Sequence, residues 1–172
     1  VATYIRRLFE RGGAATTPPR HRVALGGCAE GDAAIPASGV DVVVSGDPRV
    51  GKSWVSGLVA EQLIGRGYRL CVLDPEGDHT VLGRLPEVLV FGDDLALPAA
   101  EVVPQLMRGE RLSLVLNLSG LTPRAKTAYV AATLAALEAA RAASGIPHWI
   151  IVDEAHYFFR DGGPHVRHDL RT

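Results

Sequence analysis

The sequence predicts an α/β fold in which a mostly parallel sheet is flanked by helices, and three observations carry that expectation. Short apolar runs rich in β-branched residues recur at 42–45, 70–73, 88–91, 113–116 and 149–152. The segments between them are long enough for a helix or a loop crossover, which is the rhythm of parallel α/β architecture. Composition agrees: of 172 residues 47% are hydrophobic and 22% charged, as in one globular domain.

The runs and their connections are taken in chain order. Residues 4–10 have the pattern of a short amphipathic helix, and 11–20 is a Gly, Thr and Pro rich linker. Residues 22–25 form a weaker strand candidate, so 1–39 is expected to hold an N-terminal helix, a linker and a possible edge strand. The core is expected over 40–172. A helix after Gly51 places Val55, Leu58, Val59 and Leu63 on one face, with Gly65 and Gly67 available to end it. The stretch 99–108 is a poor helix candidate because Pro104 lies inside it. A long helix is expected with Thr122 as N-cap and Pro123 in its first turn, burying Val130, Leu134 and Leu137 and stopping at Gly145.

Several classes are excluded or made improbable by arithmetic. No run of about 18 apolar residues exists, so no transmembrane helix is expected. Two cysteines build neither a disulfide framework nor a metal site, and a reducing, cytoplasmic setting is the expectation. A formal net charge of −1 creates no global field for nucleic acid or an anionic membrane. His165 and His168 have ligand-like spacing but no partner pattern.

The strongest local signal is G-x-x-x-x-G-K-S, written here Gly46, Asp47, Pro48, Arg49, Val50, Gly51, Lys52 and Ser53, followed by Trp54. It lies between an apolar run and an amphipathic helix, the context of a phosphate-binding P-loop. Gly46 and Gly51 let the backbone approach phosphate oxygens, and the helix start presents N–H groups to an anion. Lys52 is one of two lysines among eighteen basic residues, and a compact ammonium suits the β and γ phosphates. The Ser53 hydroxyl offers Mg²⁺ a hard oxygen. All nine residues from Gly46 to Trp54 are therefore candidate nucleotide contacts.

The run at 149–152 ends in Asp153 and Glu154, the form of a Walker B element. Strand carboxyl ends collect ligands in parallel α/β sheets, so this acid pair is expected beside the P-loop. Asp153 is the expected Mg²⁺ ligand with Ser53, and Glu154 the expected base for the attacking water, worth roughly 10² to 10⁴ in rate. A third motif, Asp74, Pro75, Glu76, Gly77 and Asp78, closes the run at 70–73. Its acids read equally as a solvated turn or as groups shaping the nucleotide site.

Together the loop 46–53, the turn 73–78 and the box Val152, Asp153, Glu154, Ala155 and His156 resemble the HerA-like branch of the HerA/FtsK superfamily of P-loop ATPases. The stretch 115–121, a strand leaving into Leu118, Ser119 and Gly120, resembles it too. The resemblance covers about 40–159. It implies a RecA-like fold, ATP and Mg²⁺ as ligands, hydrolysis with Lys52 and Glu154 as catalytic residues, ring-shaped homo-oligomers and work on DNA. The family's sensor strand and arginine finger have no counterpart in 160–172, so the core is expected to lack its C-terminal strand and to hydrolyse ATP slowly by itself. Two other functions compete: a nucleotide-dependent switch or assembly module with little turnover, and a DEAH-box-type helicase suggested by 153–156. The phosphate loop departs from the helicase pattern.

Overall fold

A computed structural model describes residues 21–29, 31–108 and 112–158. In chain order the elements are β1 (Arg22–Cys28), β2 (Gly31–Pro36), α1 (Lys52–Gly65), β3 (Leu70–Asp74), β4 (Val88–Phe91), α2 (Val103–Met107), β5 (Ser113–Asn117), α3 (Pro123–Ser144) and β6 (Trp149–Val152), with short 3-10 turns at Thr80–Arg84 and Ala155–Tyr157.

Four strands form one parallel sheet in the order β4-β5-β3-β6. β3 and β5 are its two inner strands, each buried at all five positions, and the side chains of β3 alternate between two cores. Leu70 and Val72 face α1, where they pack with Val59, Ala60, Leu63, Val88 and Val115. Cys71 and Leu73 face α2 and α3, with Leu114, Leu116, Met107, Val130, Leu134 and Leu137. The result is three layers, helix, sheet and helix, so a central strand reads as an unbroken apolar run because both of its faces are buried. Burial pushes the Cys71 thiol up to about 12.

The caps anticipated for the long helix are present. The Thr122 side chain accepts from Ala125 N at 3.3 Å, Pro123 opens α3, and Gly145 closes it in the left-handed conformation at φ 72°. Val130, Leu134 and Leu137 are buried as expected. Pro104 does not break a helix: it lies in the first turn of the five-residue α2, where its missing N–H costs no hydrogen bond. The weak strand signal at 22–25 is part of β1, which pairs antiparallel with β2, a hairpin the sequence pattern did not announce. The expected helix at 4–10 and the pair His165 and His168 lie outside the described residues.

One strand expectation fails. Residues 41–46 form no strand, and Val42, Val43 and Val44 are 42%, 88% and 38% exposed. A continuous apolar run becomes a strand only with a ladder neighbour and cover on both faces. Here the run has no ladder partner, and β6 ends the sheet with no second neighbour among the described residues.

No helix of the described residues is long and apolar enough to cross a membrane.

Candidate functional site

All four parallel strands point their carboxyl ends to one edge, and polar residues concentrate there. β3 ends at Asp74, β5 at Asn117, and β6 runs into Asp153. A strand end exposes carbonyls and a turning backbone, which is why buried polar side chains find partners at this edge.

The turn after β3 is organised by its own first residue. Asp74 is fully buried, and its carboxylate accepts three backbone N–H groups: Gly77 at 2.8 Å and Asp78 at 3.2 Å on Oδ1, and His79 at 2.8 Å on Oδ2. Gly77 adopts φ 87°, a conformation open to glycine and strained for other residues. From α3 the Lys126 ammonium donates to Pro75 O at 2.6 Å, pinning the outer side of the turn. Asp74 is thus committed to its own turn, whereas Asp78 is exposed. Of the two acids in this motif, Asp74 organises the turn and fixes the backbone of His79.

The glycine-rich loop lies at the start of α1. Gly46, Asp47, Pro48 and Arg49 are exposed, and Val50, Gly51, Lys52 and Ser53 are partly covered. Arg49 and Gly51 have positive φ, 65° and 94°, so two left-handed residues bend the loop into the helix. A Cβ on Gly46 would stand 2.9 Å from Val50 Cγ2, which explains the first glycine as a close approach within the loop. Lys52 folds back along it, its Nζ donating to Asp47 O at 3.1 Å. Trp54 is exposed on the outside of α1.

Across the edge, Asp153 N donates to Leu73 O at 3.1 Å, which carries the β6 register one residue past the strand and fixes the carboxylate beside β3. Asp153 is buried, which alone would raise its pKa, yet the pKa is lowered, chiefly by the His79 side chain and in smaller measure by the backbone N–H of Glu154 and the nearby Ser53 side chain. The end of the glycine-rich loop is linked to this acid through Ser56, whose Oγ donates to Ser53 O at 3.0 Å and lies 3.4 Å from His79 Nε2. His79 Nε2 stands 3.3 Å from Asp153 Oδ2, an ion-pair distance whose alignment falls short of a hydrogen bond. Oδ2 is accordingly a buried oxygen without a hydrogen-bond partner. For His79, burial opposes charging, but Asp153, with Asp74 and Asp78 adding to it, raises the imidazole pKa.

Glu154 occupies the left-handed region at φ 46° and ψ 41°, and its Oε2 lies 2.9 Å from His156 Nδ1. His156 stacks on exposed Tyr157 with ring centroids 4.4 Å apart. The contacts of His79, Lys126 and His156 were not foreseen from the sequence. The signal for His79 was its place at the end of an Asp-Pro-Glu-Gly-Asp turn, but nothing local to that turn names Asp153 as its neighbour.

A hard-oxygen pair, Ser53 Oγ and Asp153 Oδ2, fits Mg²⁺, which usually takes one or two protein oxygens and completes its shell with water and phosphate. The unpartnered Oδ2 has lone pairs free for that purpose. No family model, curated protein or solved structure gives a significant match to this chain.

Proposed function

We propose that this chain is a P-loop domain that binds ATP with Mg²⁺ and hydrolyses it, with the RecA-like architecture of the HerA-like ATPases its motifs resemble. One observation carries the reading: the end of the Gly-x-x-x-x-Gly-Lys-Ser loop and Asp153 at the carboxyl end of β6 meet at His79, since Ser56 Oγ donates to Ser53 O at 3.0 Å and lies 3.4 Å from His79 Nε2, which stands 3.3 Å from Asp153 Oδ2. Residues distant in sequence, each expected at a nucleotide site for its own chemical reason, share one point in space. The parallel sheet supports the reading without distinguishing it from other α/β folds.

In this reading the N–H groups of the loop and the α1 N-terminus bind phosphate oxygens. Lys52 exchanges its contact to Asp47 O for the β and γ phosphates. Mg²⁺, held by Ser53 and Asp153, supplies charge neutralisation at the phosphates. Glu154 takes a proton from the attacking water through Oε1, because Oε2 is engaged by His156. DNA as the polymer acted on and a ring of identical subunits follow from the resemblance alone.

The engagement of Glu154 by His156 also favours a second reading, a switch that binds ATP and turns it over little until a partner frees that carboxylate. Steady-state ATP hydrolysis with and without double-stranded DNA separates the two. The motor reading expects stimulated turnover that Glu154→Gln reduces by roughly 10² or more while binding persists. Turnover equal in Glu154→Gln and wild type removes Glu154 as the base, and tight binding without turnover favours the switch.

A further inference from the structure

His79 is 2% exposed, and no motif assigns it a role. Three elements converge on it. Its backbone N–H is held by Asp74 Oδ2 at 2.8 Å, so the turn after β3 fixes where the residue stands. Its Nε2 lies 3.4 Å from Ser56 Oγ on α1 and 3.3 Å from Asp153 Oδ2 after β6. Ser56 donates its own hydroxyl hydrogen to Ser53 O at 3.0 Å, so toward Nε2 it presents an acceptor. An ionised carboxylate is also acceptor only. Both neighbours of Nε2 therefore require a hydrogen on it, and the surroundings select the Nε2–H form.

We infer that His79 is a positioning residue for Asp153: its imidazole, held at Nε2 by Ser56 Oγ and standing at ion-pair distance from Asp153 Oδ2, sets the orientation in which the carboxylate meets Mg²⁺ beside Ser53. The inference rests on the P-loop reading and deepens it by adding a residue that touches neither nucleotide nor metal. Replacing a group that orients a metal-binding side chain typically costs about 10- to 100-fold in affinity for the metal. The turn at 74–79 thereby acquires a function, since Asp74 builds it and its last residue reaches the acid of a different strand.

The test compares ADP binding by calorimetry in Mg²⁺ and in EDTA, for wild type and for His79→Phe, His79→Asn and His79→Gln. Phe fills the volume without a donor. Asn cannot carry its amide as far as Nε2, whereas the longer Gln can. The expected result is that Phe and Asn lower the gain in affinity given by Mg²⁺ about 10-fold or more, leave ADP affinity in EDTA unchanged, and that Gln keeps the gain within about threefold. If Phe does not fold, the contrast of Asn with Gln decides. Buried packing alone would make all three variants shift binding equally in Mg²⁺ and EDTA, and that result, or a Mg²⁺ gain retained by Asn, overturns the inference. Wild type that binds no ADP in either condition overturns the P-loop reading and this inference with it, whereas a wild-type Mg²⁺ gain shared by Asn overturns this inference alone.

Discussion

Replacing Asp74 by Asn removes a charge and keeps the shape, and the structure sets what that costs. The carboxylate accepts three N–H groups in a fully buried position. Asn has one acceptor oxygen. In its better orientation the amide oxygen keeps Gly77 and Asp78, and the NH₂ faces the N–H of His79, donor against donor. A hydrogen bond to a charged group is worth about 1.5–3 kcal/mol, and the buried N–H left unpaired adds about 1–3 kcal/mol. Burying a neutral amide in place of a carboxylate recovers part of this sum. The net expectation is a loss of about 2–3 kcal/mol, within the stability of an ordinary domain. Urea unfolding followed by tryptophan fluorescence reads it, since Trp149 is half-buried with its indole N–H on Ala37 O at 2.7 Å. At an m-value of about 2 kcal/mol/M the midpoint falls by about 1 M. Asp78→Asn is the control: its side chain is exposed, and the change should stay within about 0.5 kcal/mol. Equal shifts in the two variants, or no shift in Asp74→Asn, would refute the assignment of Asp74 as the organiser of the turn.

Two further expectations concern the frame around the site. In hydrogen exchange, amides at 42–45 should exchange fast, while those of β3 and β5 stay protected; protection at 42–45 would place that run in a ladder after all. His148 accepts the Arg69 N–H through Nδ1 at 2.9 Å, and burial, with Arg69 and Arg141 nearby, lowers its pKa. The unfolded chain therefore binds the proton more readily, and the stability from this contact is complete above about pH 6.5 and lost as pH falls below it. His148→Asn keeps an acceptor that does not titrate, so its unfolding midpoint should gain on wild type between pH 7.5 and 5.5; parallel pH profiles would count against the contact.

Much of the frame was legible because it follows from local chemistry. β4 and β6 carry the residues of their apolar runs, and β3 and β5 extend one residue further, to Asp74 and Asn117. The α3 boundaries followed from Thr122, Pro123 and Gly145, whose capping roles depend only on neighbours a few residues away. The run at 42–45 misled because an unbroken apolar stretch states a need for burial without naming what buries it. The hairpin of β1 and β2 escaped notice because small Ala and Gly residues interrupt both strands and leave no clear alternation to read. At the site, residue types and spacing pointed to Lys52, Ser53, Asp153 and Glu154. The convergence of His79 on Asp153, and of Lys126 on Pro75, arises from the order of strands in the sheet, a long-range property that no window of sequence contains.

The claim that the loop 46–53 and Asp153 make one nucleotide site is met most directly by calorimetric titration of ATP with Mg²⁺ into wild type and Lys52→Ala. Saturable binding by wild type at one site per chain, with most of the affinity gone in Lys52→Ala, is the predicted result. Equal affinity in the two proteins, or no binding by wild type, would contradict it.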